Sequence, residues 1–173
     1  VGRSNSSKMS DYPAPQQPLR AVTFDLDGLM FNTEHLYQEV DHILLERRNK
    51  ESSPELLDQM MGRKADVALQ LMIDWHGLSE TVDELYQESR EIMFRLMKDR
   101  LEPMPGLLML LESLEAAGIP KGIATSSRRQ FAHTALDKFN LKPRFSFIIT
   151  CEDIEHGKPA PDVYLKAVRH HDI

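Results

Sequence analysis

The sequence lacks the features that mark several classes of protein. Its single cysteine, Cys151, cannot form an internal disulfide, and there is no second cysteine for a zinc site. No stretch approaches the roughly 20 consecutive apolar residues that a membrane-spanning helix needs. Positive charge is in deficit, because 21 Lys and Arg stand against 27 Asp and Glu, for a net charge of −6. Nucleic acids and anionic membranes attract basic surfaces, so we expect neither as a partner. Because the single cysteine leaves no internal disulfide, we predict a cytoplasmic protein.

Length and composition are those of a globular protein. The chain has 173 residues, of which 41% are hydrophobic and 28% charged, enough for one domain or for a small core with an insertion. Residues 1–18 are polar, rich in proline and without the apolar segment of a secretory signal. We predict that they form a disordered leader.

The segment 32–103 has the pattern of a block of about four helices. Ser53 followed by Pro54 predicts an N-cap with proline at the first helical position. Thr81 and Glu84 have the spacing of a capping box. In a helix between these two starts, apolar residues four apart predict a buried face. The residues of that face are Val67, Leu71 and Trp75.

The segments on either side alternate between strand and helix patterns. An apolar, β-branched run ending at Asp25 predicts a buried strand. Later in the chain, predicted strands at 121–125 and 145–150 alternate with predicted helices at 107–117, 128–139 and 162–170. Such alternation is typical of βαβ units with a parallel sheet. We therefore predict an α/β fold, a Rossmann-like parallel sheet core of residues 19–31 and 104–173 with an α-helical cap of residues 32–103 inserted into it.

Polar residues suited to catalysis follow each predicted strand. Asp25 and Asp27 end the first strand, Thr125 and Ser126 end the second, and Lys158 follows the third. Ligands of open parallel sheets bind outside the carboxyl ends of the strands, so these residues could converge on one crevice. Singly, each has an ordinary explanation, since Asp-x-Asp-Gly is common in turns, hydroxyls cap helices and lysines are usually solvated.

Three segments, in this order, resemble the motifs of the haloacid dehalogenase-like superfamily. They read FDLDGLMFNTE, GIATSS and HGKPAPDVY, and the resemblance extends over roughly residues 19–170. It implies a helical cap inserted just after the first motif and phosphoryl-transfer chemistry at the strand ends. A lone Asp-x-Asp would be a weak signal, whereas the ordered set is specific.

The resemblance gives each residue a role. It implies that Asp25 is a nucleophile that forms an aspartyl-phosphate, and that Asp27 acts first as general acid and then as general base. It implies that Thr125, Ser126 and Lys158 bind phosphate. The expected cofactor is Mg²⁺, held by the Asp25 carboxylate and the Asp27 backbone carbonyl.

One motif of the superfamily is not found in the sequence. The fourth motif, an acidic pair that completes the Mg²⁺ site, should lie on a further strand, yet only 15 residues follow Lys158. A helix, a loop and a strand of ordinary length need more residues than that. We therefore expect a core that is incomplete at the C-terminus. Two explanations stay open: the chain is a fragment of a longer protein, or it is a truncated, catalytically silent protein.

The cap offers candidate substrate contacts. Its segment MMGRKADVA resembles the pseudouridine-5′-phosphatase-like group, and we take Arg63 and Lys64 as candidates, with ordinary solvated charge as the alternative. β-Phosphoglucomutases carry a histidine where this chain has Tyr37 and an arginine where it has Ala65, which argues against a mutase. We expect a Mg²⁺-dependent phosphatase, monomeric, acting on a small phosphorylated metabolite such as a sugar or nucleotide monophosphate. A phosphomutase of the β-phosphoglucomutase type is the second enzyme hypothesis.

Overall fold

A parallel sheet of three short strands lies at the centre of the computed structural model, which describes residues 18–61, 63 and 65–172. The strands are β1 (Val22–Phe24), β2 (Lys121–Ala124) and β3 (Ile148–Ile149). β2 is the middle strand and pairs in parallel with both neighbours. The carboxyl ends of the three strands therefore lie side by side, and this confirms the predicted α/β fold.

Four helices occupy the chain between β1 and the rest of the core. They are α1 (Thr33–Glu46), α2 (Pro54–Met60), α3 (Ala65–His76) and α4 (Val82–Arg100). The predicted starts are confirmed: the Ser53 hydroxyl accepts a hydrogen bond from the Leu56 N–H, and Thr81 and Glu84 form a reciprocal capping box. We call α1–α4 the helical insertion. The exact boundaries proposed for the cap and the core remain predictions.

The insertion is joined to the core by two adjacent stretches of chain, residues 30–32 and 102–104. Phe31 and Pro103 form an antiparallel bridge. The Asn32 side chain accepts a hydrogen bond of 2.8 Å from the Glu102 N–H, and the Met104 N–H donates to the Met30 carbonyl at 2.9 Å. These two stretches form a neck through which the chain leaves the core and returns.

Three further helices pack around the sheet, and they are α5 (Leu107–Ala116), α6 (Arg129–Lys138) and α7 (Asp162–His171). One cluster of buried apolar side chains extends from the insertion to the sheet, with Leu36 and Leu85 on one side and Leu111 and Ile123 on the other. The helical insertion and the core therefore share apolar packing.

The third strand is shorter than predicted. The pattern at 145–150 indicated six residues, but only Ile148 and Ile149 form the strand. A 3₁₀ turn at Lys142–Arg144 precedes this segment and another at Cys151–Asp153 follows it at once. The two turns leave little room for a regular ladder.

The predicted buried face of α3 is wrong. Trp75 is 48% exposed and Val67 40% exposed, whereas Leu69 and Met72 are buried. Apolar residues surround most of this helix, so their spacing fits more than one face. The assignment of Trp75 to the core fails for this reason.

Two predictions fall wholly or partly on residues that the structure leaves undescribed. The predicted leader lies outside the described residues except for its last residue, Pro18, and so does Lys64. Across the described part of the chain, no helix combines the length and the apolar character required to cross a membrane.

Candidate active site

Asp25 stands directly after β1 and is ion-paired. Its Oδ2 lies 2.9 Å from the Lys158 Nζ, and its Oδ1 accepts a hydrogen bond of 2.8 Å from the Leu26 N–H. About 36% of the side chain remains exposed. The carboxylate is therefore oriented by two partners and still accessible to a ligand.

Asp27 lies in a different environment from Asp25, although the two are only two residues apart. Its Oδ2 accepts hydrogen bonds from the hydroxyls of Ser127 at 2.5 Å and Thr125 at 3.2 Å. Its Oδ1 is buried and makes no hydrogen bond of ordinary length to the described residues. Burial raises the pKa of Asp27, and the charge of Asp25 adds to the rise, while the hydroxyl hydrogen bonds act in the opposite direction. Asp27 therefore holds a proton more readily than an ordinary aspartate does.

A tight turn after Asp27 leads the chain into α1. Gly28 adopts a φ of +68°, and a Cβ at this position would lie 2.8 Å from the Glu34 Oε1, so a side chain is disfavoured on both grounds. The Gly28 N–H donates to the Thr33 hydroxyl at 3.0 Å. The sequence Asp-Gly therefore serves the turn as well as the site.

Thr125 and Ser126 follow β2, next to the acids. The Thr125 side chain is fully buried, and its hydroxyl, besides donating to Asp27, accepts the Ser127 N–H at 3.0 Å. Ser126 is exposed at the same strand end. The hydroxyl cluster thus provides one exposed and two partly or fully buried hydroxyl groups beside Asp27.

Lys158 approaches Asp25 from the segment after β3. Its Nζ also donates to the Ala124 carbonyl at 3.2 Å and lies 5.6 Å from the centre of the Tyr164 ring. The side chain is 21% exposed. These contacts hold the ammonium group at the shared end of the strands, where an anionic ligand would meet it.

The cap candidate Arg63 is placed differently. It is exposed, and its Nε donates to the carbonyl of Gln59 at 2.6 Å, at the end of α2. None of the contacts found for the described residues links Arg63 to the two acids. An open groove of about 550 Å³ beside α7 is lined by other residues, among them Lys166 and Arg169, and is separate from the strand-end cluster.

The arrangement places two contacting pairs, Asp25 with Lys158 and Asp27 with Thr125, at one edge of the sheet, with Ser126 adjacent in the chain. It combines an accessible carboxylate, a second carboxyl group with a raised pKa, hydroxyl donors and a fixed cation. That set of groups suits the transfer of an anionic group such as phosphoryl.

A family model described as haloacid dehalogenase-like hydrolase matches residues 22–173. The chain belongs to this family. Among curated relatives, the (DL)-glycerol-3-phosphatase 2 of Arabidopsis thaliana is 36% identical over 154 residues, covering 86% of this chain and 63% of the relative. The "Probable pseudouridine-5′-phosphatase" of Drosophila melanogaster is 33% identical over 159 residues, covering 86% of this chain and 67% of the relative.

Solved structures of the family share the fold. The haloacid dehalogenase-like hydrolase of family IA, variant 3, from Entamoeba histolytica superposes with a TM-score of 0.73 at 26% identity, covering 87% of this chain and 70% of that one. The chain spans about half to two thirds of the length of the first curated relatives that it matches.

The family's metal, Mg²⁺, can be tested against the residues present. Mg²⁺ takes oxygen ligands and is commonly held by one or two carboxylates together with waters and substrate phosphate. The accessible Asp25 carboxylate fits that chemistry, and the backbone carbonyl of Asp27 is close to it in the chain. Within residues 18–61, 63 and 65–172, no group of three acidic, histidine or cysteine side chains is placed to hold a metal ion. The described residues thus fit Mg²⁺ as part of a ligand set.

Sequence reasoning did not assign a role to three residues of this haloacid dehalogenase-like site. The hydroxyl of Ser127 makes the shortest hydrogen bond to Asp27, and the Thr33 hydroxyl accepts the Gly28 N–H in the turn just after that residue. From the sequence we noted Tyr37 only as the residue that stands where β-phosphoglucomutases carry a histidine. Burial and the nearby charge of Asp27 both raise the pKa of its hydroxyl. For Ser127 the signal was present in the run Thr-Ser-Ser, but the sequence does not tell which hydroxyl turns inward. Thr33 and Tyr37 are four residues apart on one helix, and that spacing was a usable signal.

Proposed function

We propose that this protein is a Mg²⁺-dependent phosphatase that hydrolyses a small phosphate monoester through an aspartyl-phosphate. The observation that carries the proposal is the contrast between the two acids at the end of β1. Asp25 is accessible and paired with a lysine, while burial raises the pKa of its neighbour Asp27. Both named relatives above are phosphatases by name, which supports the same reaction.

Asp25 is the proposed nucleophile. One of its carboxylate oxygens attacks the phosphorus, the bond from phosphorus to the ester oxygen breaks, and an aspartyl-phosphate forms. The 2.9 Å contact with Lys158 and the hydrogen bond from the Leu26 N–H fix the direction of the side chain. Positioning of this kind is the main source of rate in phosphoryl transfer.

Asp27 is the proposed proton shuttle. Protonated, it gives its proton to the departing ester oxygen, so that the leaving group departs as an alcohol. The resulting carboxylate then takes a proton from water, and the hydroxide attacks the aspartyl-phosphate. Inorganic phosphate leaves, Asp25 is regenerated and Asp27 is protonated again. A raised pKa favours this role because the acid must hold a proton near neutral pH.

Thr125, Ser126 and Lys158 are the proposed phosphate-binding residues. The Lys158 ammonium neutralises charge that develops on the phosphoryl oxygens. The hydroxyls and N–H groups between β2 and α6 supply hydrogen-bond donors at the same edge. The carboxylate of Asp25 and the backbone carbonyl of Asp27 are the proposed ligands of Mg²⁺, which would supply positive charge that reduces repulsion between the nucleophile and the phosphate.

The proposed substrate is a small phosphorylated metabolite, with sugar, polyol and nucleotide monophosphates as the first candidates. Glycerol phosphate and pseudouridine phosphate are suggested by the names of the relatives. Arg63 and Lys64 remain proposed substrate contacts on the insertion. We also propose that the protein is monomeric and cytoplasmic and has no nucleic-acid or membrane partner.

The test is release of inorganic phosphate from a panel of these esters, with and without Mg²⁺. We expect Asp25→Asn to lower kcat at least a thousandfold, because a carboxamide is a poor nucleophile. Asp99→Asn, which changes an exposed acid at the end of α4, is the matched control and should match the wild type. Activity that survives in Asp25→Asn would remove the nucleophile assignment. Conversion of β-glucose 1-phosphate to glucose 6-phosphate would support the phosphomutase hypothesis. A wild-type chain that releases phosphate from none of the esters would support the catalytically silent alternative.

A further inference from the structure

We propose that the ring of Tyr37 is a specificity-determining contact for the leaving group of the ester. It selects nucleoside 5′-monophosphates, whose planar base stacks on the ring, over sugar phosphates that lack a base. The inference rests on the function proposed above and names the substrate class of that same site. The observation that carries it is a pair of stacked rings, one from the helical insertion and one from the core, beside the strand-end site.

Tyr37 is placed by the start of α1. Thr33 is the first residue of this helix, and its hydroxyl accepts the Gly28 N–H at 3.0 Å in the turn just after Asp27. Residues four apart lie on one face of a helix, one above the other, and one turn advances about 5.4 Å along the axis. The Tyr37 side chain therefore lies one turn further from the acids than that of Thr33, on the face that meets the site.

Phe131 approaches the same place from the core. Ser127 donates to Asp27 Oδ2 at 2.5 Å, and Phe131 follows four residues later, in the first turn of α6. The centroids of the Tyr37 and Phe131 rings lie 6.3 Å apart, with 21° between the planes. The insertion and the core thus meet twice beside the acids. They meet first where Thr33 and Ser127 contact the turn that carries Asp27, and again at the two rings, one helical turn further out.

The Tyr37 ring is fixed on one side and open on the other. Phe131 is buried, at 8% exposed, and packs in the apolar cluster that joins the insertion to the core. Tyr37 itself is 45% exposed, and this exposure falls on the part of the ring that Phe131 leaves uncovered. A ring with one face held against a buried partner and the other face free can stack on a second planar group.

The distance between the acids and the ring suits a nucleotide. The phosphoryl group binds at the carboxyl ends of the strands, and the leaving group extends from there towards Tyr37. In a nucleoside 5′-monophosphate a pentose separates the phosphate from the base, a spacing comparable with one helical turn of about 5.4 Å. Glycerol phosphate and ribose 5-phosphate have no planar group to place against the ring. Every base has a π-face, so stacking on an aromatic side chain adds affinity with little preference among bases.

The alternative is that Tyr37 is a surface residue that only packs against Phe131. Its replacement would then disturb the junction between the insertion and the core and affect all substrates alike. A stacking contact predicts an effect only on substrates that carry a base. Ribose 5-phosphate and uridine 5′-monophosphate share the pentose 5-phosphate and differ in the base, so this pair of esters isolates the contact.

The experiment measures kcat and KM for phosphate release from both esters by the full chain with Mg²⁺. We expect the wild type to favour uridine 5′-monophosphate in kcat/KM by about tenfold, the contribution of one stacked base. Tyr37→Leu should raise KM for the nucleotide about tenfold with kcat little changed, and should leave both constants for ribose 5-phosphate within about twofold. Tyr37→Phe keeps the ring and should behave as the wild type. Trp75→Leu removes another half-exposed ring of the insertion, on α3, and should change nothing. Melting curves check that each variant is folded.

The outcomes separate this inference from the proposed function. If the wild type hydrolyses the two esters equally well, or only the one without a base, the inference is overturned and the phosphatase stands. Equal losses on both esters in Tyr37→Leu would also overturn it, because they show a packing role. A loss in Tyr37→Phe as large as in Tyr37→Leu would assign the effect to the hydroxyl and overturn the stacking contact. If the wild type hydrolyses no ester of the panel, the proposed function fails and the inference fails with it.

Discussion

Asp41 gives the clearest quantitative prediction for the stability of the protein. It lies on α1, is partly buried, and makes no hydrogen bond or ion pair with the described residues. Burial raises its pKa from the ordinary value of 3.8 to about 7. Replacement by asparagine keeps the shape of the side chain and removes the charge. We therefore expect Asp41→Asn to stabilise the folded protein at alkaline pH.

The sign follows from the direction of the pKa change. The folded state holds the Asp41 proton more tightly than the unfolded state, so protonation favours folding. The stabilising contribution of the protonated carboxyl is complete below pH 4 and is lost as the pH rises to about 7. Above that pH the folded protein carries a buried charge that lacks a partner among the described residues.

The magnitude follows from the difference between the two pKa values. At 1.36 kcal/mol for each pKa unit, a rise from 3.8 to about 7 corresponds to roughly 4 kcal/mol. Because the side chain keeps some contact with water, we expect an effect of about 2–4 kcal/mol. Asp41→Asn should raise the free energy of unfolding by that amount at pH 8 and leave it nearly unchanged at pH 4.

Urea unfolding followed by far-ultraviolet circular dichroism measures this difference. Comparing the variant with the wild type at each pH cancels the titration of all other groups. Asp99→Asn, at an exposed position on α4, should show no such pH-dependent difference. If Asp41→Asn is no more stable than the wild type at pH 8, the reasoning about the buried charge is wrong.

Three further changes have definite expected outcomes. Gly122→Ala places a methyl group against the Phe147 ring and should lower the free energy of unfolding by about 3 kcal/mol. Gly157→Ala, the control, adds its methyl group in open space and should change that free energy by less than about 0.5 kcal/mol. Urea titration measures both. Thr81→Ala breaks the capping box of α4 and should cost about 1 kcal/mol in the same assay; an unchanged midpoint would show that the cap is not needed. Lys158→Met should lower kcat for phosphate release about a hundredfold, with partial recovery in Lys158→Arg, and equal activity of all three proteins would contradict the proposed role.

The parts of the fold that sequence predicted well depend on local chemistry. The capping box of Thr81 and Glu84 closes within one turn, so its residue types specify it directly. The ends of β1 and β2 were placed to within a residue or two, because polar residues follow short apolar runs there. The buried face of α3 failed, since its burial is decided by which neighbours pack on it and its own pattern allows several faces.

The candidate site divides in the same way. Ordered motifs located Asp25, Asp27, Thr125 and Lys158, and the fold pairs Asp25 with Lys158 and Asp27 with Thr125 at one edge of the sheet. The direct partner of Asp27 at the second strand end is Ser127, whereas Ser126 next to it is exposed. Which of the two serines contacts Asp27 depends on how the chain turns from β2 into α6, about 100 residues after Asp27. No local sequence pattern specifies that contact.

The neck between the core and the insertion has a consequence for how the chain folds. Val22 and Lys121 pair in the sheet although about 100 residues separate them. If the insertion forms first and the bridge between Phe31 and Pro103 closes, the loop that remains to be closed is only about 27 residues long. The entropic free-energy cost of pairing β1 with β2 is then lower by roughly 1 kcal/mol. Folding of the helical insertion thus brings β1 and β2 close together in space before the sheet forms.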